Sequence, residues 1–151
     1  MNAIELIKND HKVAADLFAR FKENEDGDNK ALFDAINNEL TVHAHIEEDI
    51  LYPRLEAAGD DDLRKLTLEG IQEHKVVKTL LKEIANLADG SEIFNAKLKV
   101  LVEMVEHHVE EEENEMFPLV EDQFDEATLE ELGAELEDEK GSFQKADAAR
   151  G

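Results

Sequence analysis

Histidine and glutamate recur inside apolar stripes at helical spacing, and this feature most constrains the fold. The chain carries four such stripes, in which apolar residues alternate in steps of three and four, so that each stripe faces one side of a helix. Each stripe holds one histidine near its middle, and two stripes add a glutamate four residues later. Segments rich in glycine and aspartate separate the stripes, at residues 25–29, 57–62 and 88–91. The pattern predicts four amphipathic helices joined by short loops.

The predicted fold class is all-α: an up-down-up-down four-helix bundle with an additional short C-terminal helix. The sequence sustains no alternation of β-branched residues, so strands are not expected. We assign residues 1–124 to the bundle and residues 125–151 to the C-terminal helix and its tail, which is expected to fray from Gln144 onward.

The charge of the chain excludes several classes of partner. Its 39 acidic and 16 basic residues give a net charge of −23, which repels nucleic acid and anionic membranes. The absence of cysteine excludes disulfides and thiolate metal sites. The N-terminal segment has no long apolar run, so neither a signal peptide nor a membrane span is expected, and the predicted location is cytoplasmic.

The two halves of the chain repeat one arrangement. His43 follows His11 by 32 residues, and His108 follows His74 by 34 residues. The second helix of each half carries a related segment that ends in an aromatic-proline pair, "HAHIEEDILYP" at residues 43–53 and "HHVEEEENEMFP" at residues 107–118. Each half is therefore predicted to be one helical hairpin with histidines directed inward.

Six polar side chains are expected to converge inside the bundle, because positions four apart on a helix point the same way. A buried carboxylate costs several kcal/mol unless it is paired or bound to metal. Because the stripes offer no lysine or arginine, the sequence indicates a cation site. Nitrogen and oxygen ligands without sulfur favour iron or manganese, with zinc also able to bind, and two shared carboxylates could join two ions. The six candidate ligands are His11, His43, Glu47, His74, His108 and Glu112.

The histidine doublets allow a second phase. His107 could pair with Glu111, and His45 with Asp49, in place of the residues on the stripes. The stripes and the aromatic-proline pairs both favour the first phase, because each proline lies ten residues after the stripe histidine. His45 and His107 are therefore expected to flank the site.

The residues around the candidate ligands receive simpler assignments. Within the glutamate run, Glu110, Glu111 and Glu113 are expected to be surface acids. Tyr52 and Phe117 are expected to be packing aromatics near the ends of their helices, with a redox role for Tyr52 as the less favoured alternative.

These residues resemble the hemerythrin-like, or HHE cation-binding, family over about residues 1–120. The resemblance is carried by His11, by the two histidine-acid segments quoted above, and by His74 in "EHK". It implies a four-helix bundle with a non-haem di-iron centre bridged by two carboxylates and an oxo or hydroxo group. Carried over residue by residue, it implies the same six ligands, with Glu47 and Glu112 as the bridges.

The chain departs from oxygen-carrying hemerythrins at one position. Those proteins resemble it but have a second histidine four residues after the one on the third helix, where this chain has Lys78. One iron is therefore expected to keep a water-filled position or to take a neighbouring acid such as Glu48 or Glu73. In the alternative, Lys78 extends to the surface and another acid already completes the shell. An open position would favour exchange with dioxygen, peroxide or nitric oxide over reversible oxygen carriage.

The predicted function is that of a di-iron protein that binds or reacts with a small-molecule oxidant. Its enzymatic form would be peroxide consumption, as in a catalase, or an oxidase-like reaction. The sequence contains neither a nucleophile with an adjacent base nor a glycine-rich phosphate loop, so catalysis would belong to the metal. The alternatives are an iron-handling or iron- and oxygen-sensing protein without turnover, and a metal-free acidic interaction bundle.

Overall fold

Helices joined by short turns make up the part of the chain that the structure describes. The computed structural model describes residues 1–87 and 91–150, with side chains up to Ala148, and it contains no strand within these ranges. The predicted loop at residues 88–91 lies outside the described residues except for Ser91. In chain order the elements are α1 (Ala3–Lys22), α2 (Lys30–Ile46), π1 (Glu47–Leu51), α3 (Tyr52–Glu56), α4 (Asp61–Ala85), α5 (Glu92–Glu111), π2 (Glu112–Met116), α6 (Phe117–Gln123) and α7 (Glu126–Arg150).

The predicted all-α bundle is confirmed, and side-chain caps fix where several of its helices begin. The carboxylate of Asp60 accepts a hydrogen bond from the Leu63 amide at the start of α4. The Ser91 hydroxyl accepts one from the Phe94 amide at the start of α5. Such caps satisfy amide groups that the first helical turn leaves without partners. No helix within the described ranges is long and apolar enough to cross a bilayer.

Two apolar clusters form the core and leave a polar layer between them. Phe18, Ile36 and Leu98 belong to the cluster near the α2 and α5 N-termini. Leu55 and Val120 belong to the cluster at the opposite end, beside α7. The candidate histidine ligands lie between these two clusters, one on each of α1, α2, α4 and α5.

The two helices that carry the histidine-acid segments each widen into a single π-helical turn. In π1 the Tyr52 amide donates to the Glu47 carbonyl, five residues earlier, and in π2 the Phe117 amide donates likewise to the Glu112 carbonyl. A proline lies two residues after the end of each turn. Proline has no amide hydrogen to donate to the carbonyl four residues earlier, and its ring would clash with that carbonyl. The wider turn accommodates this loss, and it begins in both halves at a candidate ligand, where π turns often occur.

The C-terminal helix is longer than the sequence predicts. α7 comprises 25 residues and extends to Arg150, whereas a short helix followed by a frayed tail was expected. The predicted tail is rich in alanine, lysine and glutamine, which are strong helix formers and continue the helix. Leu129, Leu132 and Leu136 are buried and attach α7 to the bundle. α7 packs against α1, α2 and π1, and this contact carries it to the edge of the polar layer.

Candidate metal centre

The structure brings all six candidate ligands together in the polar layer. Each is nearly inaccessible to solvent: Glu47 and Glu112 are 0% and 1% exposed, and none of the four histidines exceeds 9%. Their ligand atoms form two groups, each with two imidazoles and one carboxylate and each compact enough to surround one cation. We call these groups triad A, which comprises His11, His43 and Glu112, and triad B, which comprises Glu47, His74 and His108.

Each glutamate faces histidines of both triads. Oε1 of Glu47 lies 3.1 Å from Nε2 of His43 and 3.1 Å from Nε2 of His74. Oε1 of Glu112 lies 3.1 Å from Nε2 of His11, and its Oε2 lies 3.4 Å from Nε2 of His108. Each carboxylate thus belongs to one triad but also faces a histidine of the other. In this position it could contact the ions of both triads.

Three of the buried ligand atoms lack a hydrogen-bond partner among the described residues, and a bound cation would take the place of one. Both carboxylate oxygens of Glu47 and Nε2 of His43 are buried without a hydrogen-bond partner, although the two side chains approach to 3.1 Å. Leaving a buried carboxylate in this condition is costly, and native proteins rarely do so. A positive ion between these atoms would satisfy all three.

An outer ring of carboxylates orients the four imidazoles. The Nδ1 atom of every triad histidine lies within hydrogen-bond distance of an acid, which leaves Nε2 directed at the centre. The four pairs are His11 with Glu113 at 2.6 Å, His43 with Asp10 at 3.1 Å, His74 with Glu48 at 2.7 Å, and His108 with Glu73 at 2.6 Å. Metal-binding histidines characteristically use this contact to fix ring orientation and tautomer.

This outer ring corrects two predictions. Glu113 is not a surface acid, because its carboxylate binds the ring of His11 and its side chain is 32% exposed. Glu48 and Glu73 do not complete the inner ligand set, because each carboxylate lies behind a histidine instead. The repeat contained the signal: an acid precedes the first histidine of each half, and another follows each triad glutamate. These acids lie beside the stripe residues rather than on the apolar stripe, so helical spacing does not place them next to a histidine.

The charges of the polar layer are coupled. Burial opposes charge on the His43 ring, but the carboxylate of Glu47 and the hydrogen bond with Asp10 outweigh it and raise the pKa of His43 to about 10. Burial likewise opposes charge on His108, yet the carboxylate of Glu112 dominates and raises the pKa of His108 to about 11. Without metal, both rings are therefore doubly protonated and positively charged at neutral pH. A bound cation would displace one proton from each ring.

Two lysines connect the outer ring to the rest of the protein. Nζ of Lys78 lies 2.5 Å from Oε1 of Glu48, and the Lys78 side chain is 47% exposed. Lys78 thus extends away from the centre and toward the surface, as the alternative interpretation of the sequence predicts for Lys78. The other part of that alternative, an acid that completes the ligand shell, is not seen at Glu48, which contacts His74. Nζ of Lys140, from α7, lies 2.6 Å from Oδ1 of Asp10. Burial raises the pKa of Asp10, but the hydrogen bonds from His43 and Lys140 outweigh it and keep that pKa below its usual value.

Tyr52 is part of the site rather than only a packing residue. Its hydroxyl donates to Oε2 of Glu112 at 2.6 Å and lies 3.4 Å and 3.3 Å from Nε2 of His74 and His108. Burial and the neighbouring carboxylates raise the pKa of Tyr52 well above its ordinary value, so the phenol keeps its proton. A side chain at Gly70 would crowd this hydroxyl, because a Cβ there would lie 3.2 Å from it.

The counterpart of Tyr52 in the second half offers no such donor. Phe117 stacks parallel to the ring of His11, with ring centroids 6.3 Å apart, and so packs as predicted. The halves are therefore alike in their histidines and carboxylates but differ in one hydroxyl, which donates to Glu112 of triad A and lies beside the two histidines of triad B.

The remaining histidines lie outside the triads. The side chain of His107 is 65% exposed and contacts Glu111 at 2.8 Å. His45 contacts Glu139 at 2.7 Å, and its ring stacks on Phe143 of α7. Both therefore lie outside the two triads, which contain the histidines of the stripes instead.

Comparisons with known proteins agree with this geometry. A family model described as "Hemerythrin HHE cation binding domain" matches residues 2–120. An uncharacterized protein of Mycobacterium tuberculosis is 30% identical over 149 residues, which cover 94% of this chain and 89% of that protein. The crystal structure of a hemerythrin HHE cation binding domain-containing protein from Mycobacterium kansasii superimposes with a TM-score of 0.76 and 31% identity, covering 94% of this chain and 89% of that one.

A longer relative matches only in part. A protein of a Nostoc species named "DNA nickase" is 27% identical over 147 residues. The match covers 96% of this chain but only 41% of the nickase, so the chain spans less than half the length of that relative.

Proposed function

The chain belongs to the hemerythrin HHE cation-binding domain family, and on that premise we propose that it is a non-haem di-iron protein that binds or reduces a small oxidant. The oxidant would be dioxygen, peroxide or nitric oxide. The six triad residues would hold the two ions, and the carboxylates of Glu47 and Glu112, which face histidines of both triads, would be shared between them.

The observation that carries this proposal is the position of Glu47. Its carboxylate is fully buried, has no hydrogen-bond partner, and lies 3.1 Å from one histidine of each triad. A single ion in triad A would contact Glu112, which already accepts a hydrogen bond from Tyr52, and would leave the buried Glu47 carboxylate of triad B without a partner. Two ions that share the glutamates satisfy both. Imidazole and carboxylate ligands without sulfur suit iron, with manganese or zinc able to bind the same atoms.

An iron pair so held would supply the ligand binding and the electron exchange, and the chain's own residues would control geometry and protons. The outer carboxylates bind Nδ1 of each histidine and so keep its Nε2 directed at the centre. They would hold the four nitrogen ligands in the same orientation before and after an oxidant binds. The Tyr52 hydroxyl, bonded to Glu112, holds a proton at the edge of triad B. That proton is the nearest phenolic proton available to an oxidant entering there.

Beside triad B, the position one helical turn after His74 supplies no further ligand. Lys78 lies one helical turn after His74, but its ammonium is bonded to Glu48 and points outward. Because Glu48 is itself engaged with Nδ1 of His74, neither residue reaches the centre. The side of triad B next to His74 thus has no further protein ligand, and we propose that a small exchangeable ligand would bind there, beside Tyr52.

The proposal is tested by measuring the iron content and visible absorption of freshly purified protein, before and after peroxide and with added azide. Two irons per chain, a visible band that azide perturbs, and peroxide consumption that depends on iron are the expected results. Iron at a stoichiometry near two without any response to peroxide, azide or nitric oxide would instead support iron handling. Purified protein that holds less than one metal ion per chain, and that takes up none when iron is supplied, would overturn the proposal.

The nickase relative does not add a second candidate function. Most of that protein lies outside the match, and a chain with a net charge of −23 would repel the phosphates of DNA.

A further inference from the structure

A cavity of about 470 Å³ lies against the polar layer, and the small oxidants do not account for it. Its walls are apolar side chains of the four long helices, and the rings of all four triad histidines line its inner end. Exposed residues of α2 and α4, among them Thr41 and Lys82, border it, so it opens to solvent between these helices. The wall residues are Ala14, Leu40, Val77, Leu81, Val105 and Val109.

The cavity is much larger than dioxygen or peroxide requires. One water molecule occupies roughly 30 Å³ of liquid, and an apolar cavity of about 150 Å³ accommodates benzene. A volume of 470 Å³ is within the range of sites that hold organic molecules. By size, the occupant is a molecule with two rings or a comparable chain.

The charges around the cavity determine which organic molecules can enter. Four acids border it, Asp10, Glu39, Glu48 and Asp49, against two lysines. One of these lysines, Lys78, is already bound to Glu48, and the chain as a whole is strongly negative. An organic anion would therefore meet repulsion from these acids at the entrance and apolar walls beyond them, and it would meet positive charge only at the inner end, where the ions would bind.

We propose that this cavity binds a neutral, apolar organic molecule about the size of naphthalene or larger, placed against the histidines of the metal centre. Such a molecule would bury its surface against the wall side chains and would need no charged partner. The proposal deepens the proposed function, since the occupant would lie beside the ions, but the binding itself requires no turnover.

A pair of fluorescent probes tests the chemistry of the ligand. N-phenyl-1-naphthylamine is neutral and brightens in apolar surroundings, and 1-anilinonaphthalene-8-sulfonate has the same ring framework with an added anionic group. We expect the zinc-loaded protein to bind the neutral probe at least about tenfold more tightly than the anionic one, a difference of about 1.4 kcal/mol. Equal or tighter binding of the sulfonate would overturn the proposal.

Two adjacent valines on α4 provide a matched test of the location. Val77 lines the cavity, whereas Val76 is 46% exposed. Val77→Phe should fill part of the cavity and weaken binding of the neutral probe by about tenfold. Val76→Phe adds the same group to the surface and should leave binding unchanged. Equal effects of the two substitutions would place the probe elsewhere and overturn the assignment.

Methyl NMR of the unmodified zinc-loaded protein makes the test independent of any variant's folding. The neutral probe should shift the methyl signals of Val77 and Val105, which line the cavity, and not those of the exposed Val76 and Val100. The reverse pattern would refute the site. Metal content is measured on the same samples, so that full metal with no probe binding refutes this inference alone. Probe binding by protein that cannot retain metal refutes only the proposed function.

Discussion

The Lys140 ammonium lies 2.6 Å from the Asp10 carboxylate, whose other oxygen lies 3.1 Å from Nδ1 of His43. Through this pair α7, which lies beyond the region matched by the family, reaches a candidate metal ligand. Asp10 is 4% exposed, so the ion pair is shielded from solvent on its carboxylate side. Lys140 is thus a positioning residue for His43, acting through Asp10.

Lys140→Met should lower metal affinity by roughly tenfold, because residues behind a metal-binding histidine typically contribute this much. Lys140→Arg should restore most of it. Lys145→Met, at an exposed position of the same helix, is the control. Metal competition titrations measure affinity, and the ¹⁵N shifts of the His43 ring report its orientation. A loss of thermal stability without any change in affinity or in those shifts would show that Lys140 only secures α7.

Metal removal should lower the melting temperature. Native protein binds the ions and unfolded protein does not, so ligand present at a hundredfold excess over its dissociation constant stabilises the fold by about 2.7 kcal/mol. For a chain of this length that corresponds to a shift of roughly 5–10 °C. Calorimetry of chelated and reloaded samples measures the shift. Identical melting temperatures after verified removal would argue against a metal site in the polar layer.

Substitutions at adjacent positions test the phase of the fourth bundle helix. Glu112→Ala and His108→Ala should each lose most of the bound metal, because both side chains are buried in the triads. Glu111→Ala and His107→Ala should retain it, because their contact lies toward the surface. Metal analysis of the four variants after gel filtration gives the ranking. Greater loss from the second pair would mean that the ligands are the residues at 107 and 111.

Tyr52→Phe should keep both metal ions but alter the reaction with peroxide. The substitution removes the donor to Glu112 and makes the first half resemble the second, which has Phe117 at the matching position. We expect slower peroxide consumption, by about tenfold or more, since a positioned proton donor typically contributes at least that factor. Stopped-flow spectroscopy at equal iron content measures the rate. An unchanged rate would limit Tyr52 to a structural role.

Lys78→His should slow peroxide consumption if the imidazole reaches the exchangeable position at triad B. An imidazole ligand exchanges less readily than water, so a longer-lived oxygen adduct is also expected, with iron binding retained. Lys82→His, one turn further along α4, is the control. Because Lys78 now binds Glu48, the variant also removes that ion pair, and Lys78→Met separates the two effects. If Lys78→His matches the rate of Lys78→Met at full iron loading, the position is not open to a histidine.

The sequence predicts the inner site well because its ligands lie on the apolar stripes. His11, His43, His74 and His108 occupy core-facing positions that helical periodicity alone identifies. Asp10 and Glu113 could not be found in this way. They lie at the edge of their stripes, and only the angle between neighbouring helices decides whether an edge residue meets solvent or a histidine.

The periodicity of apolar residues likewise does not predict the π turns or the packing of α7 against the bundle. A π turn differs from an α-helix by one hydrogen-bond step, and the sequence marks it only through the proline that follows. α7 is acidic on most of its surface, and its contact with the bundle depends on a few leucines and on Lys140, a residue whose partner is 130 positions away.

Each π turn also makes the helix sensitive to single-residue changes in length. The turn places Tyr52 on the same face as Glu47, five positions earlier. In an unbroken α-helix, a residue five positions along is rotated by about 100° from the residue four positions along, and Tyr52 would face another direction. Deleting one residue between them would shorten the segment to α-helical spacing and keep the four-residue spacing of His43 and Glu47. The tyrosine would then fall on the same face by α-helical geometry, but its proline would lack the wide turn that precedes it. Insertions and deletions in these two segments are therefore constrained by the hydrogen bonding of the backbone and by the proline that comes after each turn.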